Sequence, residues 1–176
     1  MTPHNTQRFL LAAALVLAPL AANAGEAGKT TKPSTAAAAF DRLKQLSGEW
    51  ETSNSPVKAR VSYEVISGGS AVVERDTAEG MPPMMTVYYL DGDRLLLTHY
   101  CMAGNQPRMQ ARGYNAATGE LAFDFLDATN LASPKDGHMH SATLHFIDDN
   151  HFSAAWNFYR DGEKSQTEQF SFARVK

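Results

Sequence analysis

Met84-Met85-Thr86-Val87-Tyr88-Tyr89-Leu90-Asp91-Gly92-Asp93-Arg94-Leu95-Leu96-Leu97-Thr98-His99-Tyr100-Cys101 is the stretch whose reading decides the fold. Two runs rich in aliphatic, aromatic and threonine side chains flank an Asp-Gly step, the pattern of two antiparallel strands joined by a tight turn. With Asp91 and Gly92 as the two turn residues, Leu90 is expected opposite Asp93, Tyr88 opposite Leu95 and Met84 opposite His99. Strand alternation then puts Leu95, Leu97, His99 and Cys101 on one face with Met84, Thr86 and Tyr88. The other face carries Leu96, Thr98 and Tyr100 with Val87 and Tyr89. Both faces are apolar, so the pattern leaves open which one turns inward.

The same period runs from Gly48 to the C-terminus. It predicts about ten strands, over 49–53, 59–66, 71–78, 84–90, 94–101, 108–114, 120–127, 138–147, 152–160 and 165–174. Ser67-Gly68-Gly69, Thr118-Gly119, Asp148-Asp149-Asn150 and Asp161-Gly162 punctuate them as turns. Connections this short join antiparallel neighbours, and an open sheet of that many strands would leave two long exposed edges. The expected fold is therefore all-β: a single antiparallel up-and-down barrel over 36–176.

Upstream, the pattern is different. Ala36 to Leu46 reads as a short helix, with Ser34 or Thr35 placed to cap it and Phe40, Leu43 and Leu46 on one face. Residues 25–35 are Gly, Lys, Thr, Pro and Ser with little that is apolar, which predicts a disordered tether. Residues 1–24 pair Arg8 with an apolar run from Phe9 to Leu20 and the small-x-small triplet Ala22-Asn23-Ala24, the three parts of a secretory signal peptide cleaved after Ala24. The apolar run is shorter than the roughly 20 residues that span a bilayer, so no membrane span is expected in the mature chain. The expected location is the periplasm or outside the cell.

The 176 residues carry a net charge of −3, and the basic side chains are scattered, so no electrostatic footprint for nucleic acid is present. Cys101 is the single cysteine. It can form no internal disulfide, and it is either a buried inert thiol or part of a site.

The run Phe40-Asp41-Arg42-Leu43-Lys44-Gln45-Leu46-Ser47-Gly48-Glu49-Trp50 resembles the opening of lipocalin-like proteins of the calycin superfamily, in which a short helix precedes Leu-x-Gly-x-Trp. It is similar above all to exported bacterial barrel proteins of uncharacterised function with this start. The resemblance implies that the helix closes one end of a calycin-like barrel, that Trp50 packs beneath it, and that the barrel forms a cup for a small, mostly apolar ligand. The glycine-rich opening of haem-binding, nitrobindin-type relatives is not matched, because Glu51-Thr52-Ser53 follows Trp50. No haem role is carried over, and no cofactor is named.

Two groups of residues could carry chemistry. The first surrounds the turn 102–107: His99 and Tyr100 lead into it, Asn105 and Gln106 offer amide donors and acceptors, and Arg108 leaves it with a planar fork suited to a carboxylate or carbonyl. Asn105 and Gln106 could equally serve to tie down the turn itself. A Cys101–His99 dyad is disfavoured, because residues i and i+2 of a strand stand about 6.5 to 7 Å apart. The second group is His138 and His140, which alternate onto one strand face and could share a zinc, copper or iron ion with Asp136 as a third ligand, or could simply be solvated.

The loops 79–83, 102–107 and 127–137 are every second connection, so they are expected at one barrel mouth. The expectation is binding of a small amphipathic or apolar molecule there, oriented by His99, Tyr100, Asn105, Gln106 and Arg108. The alternatives are a metal-assisted enzyme built on His138 and His140, or an envelope scaffold without a small ligand.

Overall fold

A computed structural model describes residues 35–53 and 58–176. The expected signal peptide lies outside the described residues, as does all of the expected tether except Thr35. Helix α1 (Thr35–Lys44) precedes β1 (Gly48–Thr52), β2 (Ala59–Ile66), β3 (Ala71–Ala78), β4 (Met84–Asp91), β5 (Arg94–Tyr100), β6 (Gln106–Asn115), β7 (Glu120–Thr129), β8 (His138–Phe146), β9 (His151–Arg160) and β10 (Glu163–Arg174). The ten strands form one closed antiparallel barrel in which each pairs with its neighbours in the chain. β1 meets β10 through Trp50↔Arg174, Glu51↔Ala173 and Thr52↔Phe172. Closure gives every strand a paired neighbour on both sides, which is how an up-and-down meander limits edge-to-edge aggregation. Among the described residues, no helix is long and apolar enough to cross a membrane.

The decisive hairpin forms with one correction. Its two turn residues are Gly92 and Asp93, flanked by Asp91↔Arg94, so Leu90 faces Leu95, Tyr88 faces Leu97 and Thr86 faces His99. Gly92 has φ +62° while Asp93 keeps a negative φ, the arrangement of a two-residue turn with glycine at its first central position. Placing Gly92 second would have forced a positive φ on Asp91. The register therefore moves by two residues, and a two-residue shift preserves faces. Tyr88, Leu95, Leu97, His99 and Cys101 are all buried on the inward side, and Tyr100 is 46 % exposed on the other.

α1 lies over one end, packing on β4, β5 and β6, with Ala36, Ala39, Phe40 and Leu43 buried. Trp50 sits beneath it, donates from Nε1 to the Leu46 carbonyl at 2.7 Å, and meets Phe152 edge-on at 4.9 Å. Arg174 stacks over the Trp50 ring at 4.1 Å while its guanidinium donates to the carbonyls of Gln45, Ser47 and Asp149. The bonds to Gln45 and Ser47 satisfy carbonyls just past the helix end, and the bond to Asp149 ties in the β8–β9 turn. Gly48 is required between Leu46 and Trp50: its φ is +124°, and a Cβ there would lie 3.0 Å from Arg174 Nη1. This end of the barrel is closed by the packed helix.

Candidate functional site

The opposite end carries the connections 79–83, 101–105, 130–137 and 161–162. Side chains bind these loops to one another: Asn105 Nδ2 donates to the Gly137 carbonyl at 2.8 Å, Asn130 Nδ2 to the Gly104 carbonyl at 2.5 Å, and Thr129 Oγ1 to Gln106 Oε1 at 2.6 Å. The backbone adds Asp161 N to the Lys135 carbonyl at 2.7 Å. Asn105 is only 3 % exposed, and its Oδ1 has no partner among the described residues. Asn105 and Gln106 thus tie down the rim.

Two cavities open at this mouth. One, of about 380 Å³, is walled by Asp76, Ala78, Met81, Met84, Glu168 and Phe170, among others. The other, of about 250 Å³, adjoins it and includes Met81, Met84, Cys101, Met102, Met139 and Phe158 in its wall. They share Met81, Met84, Gln166 and Glu168.

A polar layer lies on the inward face of β2, β3 and β4. Tyr63 pairs with Glu74 in register, and Glu74 with Thr86. The Tyr88 hydroxyl donates to Glu74 Oε2 at 2.6 Å. Burial nevertheless dominates and pushes the Glu74 carboxyl up to about 7, with the nearby Asp76 charge adding to it. Asp76 itself is raised to about 6, first by burial and then by Glu168. Burial also raises both phenols, Tyr63 and Tyr88.

His99 stands on the same inward surface, 4 % exposed, against Trp156 with ring centroids 4.9 Å apart. Its Nδ1 is 3.0 Å from Thr86 Oγ1, and its Nε2 is buried with no partner among the described residues. Burial holds the imidazole down to about 4, so the ring is neutral at physiological pH. Cys101, two residues on, is raised by burial, with Glu168 adding and a backbone hydrogen bond involving Ala103 opposing. The thiol is therefore protonated at neutral pH.

Arg108 faces outward. Its fork closes on the Asp127 carboxylate, Nε on Oδ1 at 2.6 Å and Nη2 on Oδ2, and that pairing raises Arg108 and lowers Asp127. The bidentate partner expected from a ligand is thus supplied by the neighbouring strand. Of the five residues expected to orient a ligand, His99 faces the barrel interior, Asn105 and Gln106 hold the rim, and Tyr100 and Arg108 stand outside.

His138 and His140 meet at the mouth, but they bind each other. β7 and β8 pair only as far as Asp124↔Ser141, and a bulge falls between Met139 and Ser141. His140 fills that seam, stacked between Phe125 (4.8 Å) and Tyr159 (4.0 Å). The Asp136 carbonyl, 2.7 Å away, can only accept, so His138 Nδ1 carries the proton and His138 Nε2 accepts from His140 Nδ1 at 3.0 Å. Both His138 nitrogens are thereby used. Asp136 Oδ2 accepts from the Ser133 amide. His140 is held below the usual imidazole range by burial and by His138. Among the described residues, no three His, Cys, Asp or Glu side chains gather as a metal site built from those ligands would need. His145 and His151 lie exposed on the surface.

The acids Glu74 and Asp76 and the gathering of methionines at the mouth were not singled out by the sequence reading. The alternation Val72, Glu74, Asp76 places both β3 acids with a valine on one face. That signal has force only once Val72 is known to point inward.

No protein-family model matches the chain, and no curated protein does. Among solved structures, the chain is similar to the crystal structure of Rv2717c from M. tuberculosis at 14% identity. That match covers 78% of this chain and 98% of that one, with a TM-score of 0.53. A DUF3598-family protein of unknown function from Nostoc punctiforme aligns over 82% of this chain and 100% of its own at 9% identity, with a TM-score of 0.26. The first likeness is one of fold alone, and the second carries no argument.

Proposed function

We propose that this chain is an exported, calycin-like barrel that binds a small amphipathic or apolar molecule at the mouth opposite α1. The observation that carries the reading is the 380 Å³ cavity, whose wall combines Met81, Pro82, Met84 and Phe170 with the carboxyls of Asp76 and Glu168. Mostly apolar concavity with a few convergent polar groups is the usual character of a small-molecule site. The helix-first Leu-x-Gly-x-Trp opening supports the calycin-like reading, and the triplet ending at Ala24 supports export to the periplasm or beyond.

The charged groups that face this cavity are the acids Asp76 and Glu168, beside Gln166, Thr167 and Gln169, while Arg108 is held outside by Asp127. A ligand's polar end is therefore a hydrogen-bond donor or a cation, and its tail lies against the methionines. Nile red bound by the purified chain, displaced in parallel by dodecylamine and dodecanoate, tests the reading. Displacement is expected, with the amine more effective. Failure of Nile red to bind, or of either amphiphile to displace it, overturns the reading.

A further inference from the structure

The second mouth cavity has a composition that apolar packing does not explain. Of the seven methionines and one cysteine in the chain, Met81, Met84, Met102, Met139 and Cys101 all line this 250 Å³ space. No leucine, isoleucine or valine does, whereas Leu43, Leu46, Leu95, Leu97, Leu121, Leu144 and Val72 fill the barrel below. Met81 and Met102 are, moreover, 37 % and 52 % exposed on the two rim loops. An unbranched thioether in that position gains little from burial.

The sulfurs arrive from independent parts of the fold. Met84 and Cys101 follow from the Met85↔Tyr100 pair, one step nearer the mouth on the inward face. Met139 pairs with Phe158 across the barrel wall. Met81 and Met102 come from the β3–β4 and β5–β6 connections. Below them on the inward face of β5 is His99, 4 % exposed, its Nε2 without a hydrogen-bond partner among the described residues. Whichever tautomer the Nδ1···Thr86 contact selects, a buried polar nitrogen is left unsatisfied beneath the cavity rather than in its wall, a second sign of an absent partner.

We infer that this cavity is a soft-metal site for monovalent copper, with Cys101 as thiolate and Met84 and Met139 as thioether ligands, and with Met81 and Met102 closing over it from the rim. Thiolate and thioether together select Cu(I), whereas zinc is held by thiolate, imidazole and carboxylate and not by thioether. Methionine has three rotatable bonds and a polarizable sulfur, which lets a thioether adjust to a bound metal. Binding breaks the Cys101 S–H bond and forms S–Cu, and the proton passes to water. The metal enters already reduced, so no oxidant or reductant is needed. The site goes beyond the amphipathic-ligand reading and does not depend on it.

The test titrates the full chain anaerobically with Cu(I) against the chromophoric chelator bicinchoninate, with circular dichroism recording the fold of every variant. One Cu(I) held per chain is expected. Met84→Leu and Met139→Leu, which conserve volume, should each weaken retention by about tenfold or more, and Met85→Leu on the outer face should leave it unchanged. The inference is overturned by wild-type protein that retains no Cu(I). It is equally overturned if Cys101→Ala abolishes retention while the Met84→Leu/Met139→Leu double variant keeps it, which would mark an ordinary thiol. Nile red displacement on metal-free protein reads the other proposal, so the two can fail separately.

Discussion

Inside the barrel, the Tyr88 hydroxyl donates a 2.6 Å hydrogen bond to Glu74 Oε2, and Tyr63 faces the same carboxyl from the paired strand. No ion pair reaches Glu74 among the described residues, so burial sets its protonation. Its folded value near 7 stands above its ordinary value of 4.5. The folded state therefore holds a proton that the unfolded state gives up, and this contribution to stability is full below about 4.5 and lost as pH rises towards 7. His99 works in the other direction: burial lowers it to about 4, so protonation of the unfolded state opposes folding as pH falls below its ordinary 6.5.

The difference between Glu74→Gln and wild type isolates the acid. Gln keeps the acceptor for Tyr88 and cannot ionise. Relative to wild type, its unfolding free energy is expected to gain on the order of 3 kcal/mol between pH 4.5 and pH 7. Urea denaturation at several pH values measures this, and a difference independent of pH removes the assignment.

At the closed end, Trp50→Phe removes the indole donor to the Leu46 carbonyl while keeping most of the ring volume. A buried acceptor left without its partner costs about 1–3 kcal/mol. The expected result is a lower denaturation midpoint with the denaturant slope unchanged, since the exposed surface on unfolding is the same.

At the mouth, Asn105→Ala cuts the tie to Gly137. The expected effect is a loss of about 1–2 kcal/mol and faster amide exchange in 130–137 and 102–105, read by hydrogen–deuterium exchange. Exchange unchanged in 130–137 would mean that the backbone alone holds the rim.

Arg108→Ala separates two roles for a residue that the sequence placed in a ligand site. Because its guanidinium closes on Asp127 outside the barrel, the variant is expected to leave Nile red displacement unchanged. Weakened displacement would bring Arg108 back to the site.

Export predicts a cleaved N-terminus. Intact-mass measurement of protein recovered from the envelope fraction should give a chain beginning at Gly25, and recovery of the uncleaved chain would remove the export reading.

Strand count, turns and hairpin faces were legible in the sequence because each rests on local chemistry. Period-two alternation from Met84 to Cys101 puts His99 and Cys101 on one face whatever surrounds them. Gly92 marks a turn because a positive φ is cheap there. Even the register error over that turn preserved the faces, because it was an even shift. Parity likewise brought 79–83, 102–107 and 127–137 to one end.

The candidate site was much less legible, for reasons that are not local. Whether β3 buries Val72, Glu74 and Asp76 or their neighbours is decided by which surface closes on itself. Arg108 has a ligand's geometry in sequence and finds its carboxylate 19 residues away, on the adjacent strand. His138 and His140 alternate as metal ligands would, until a bulge turns one ring onto the other. The sequence by itself determined a closed meander with a helix at one end, because side-chain period and turn chemistry act over a few residues. Only the tertiary structure decided what the barrel encloses, because closure alone brings Asp76 towards Glu168 and gathers four methionines and Cys101 around one cavity.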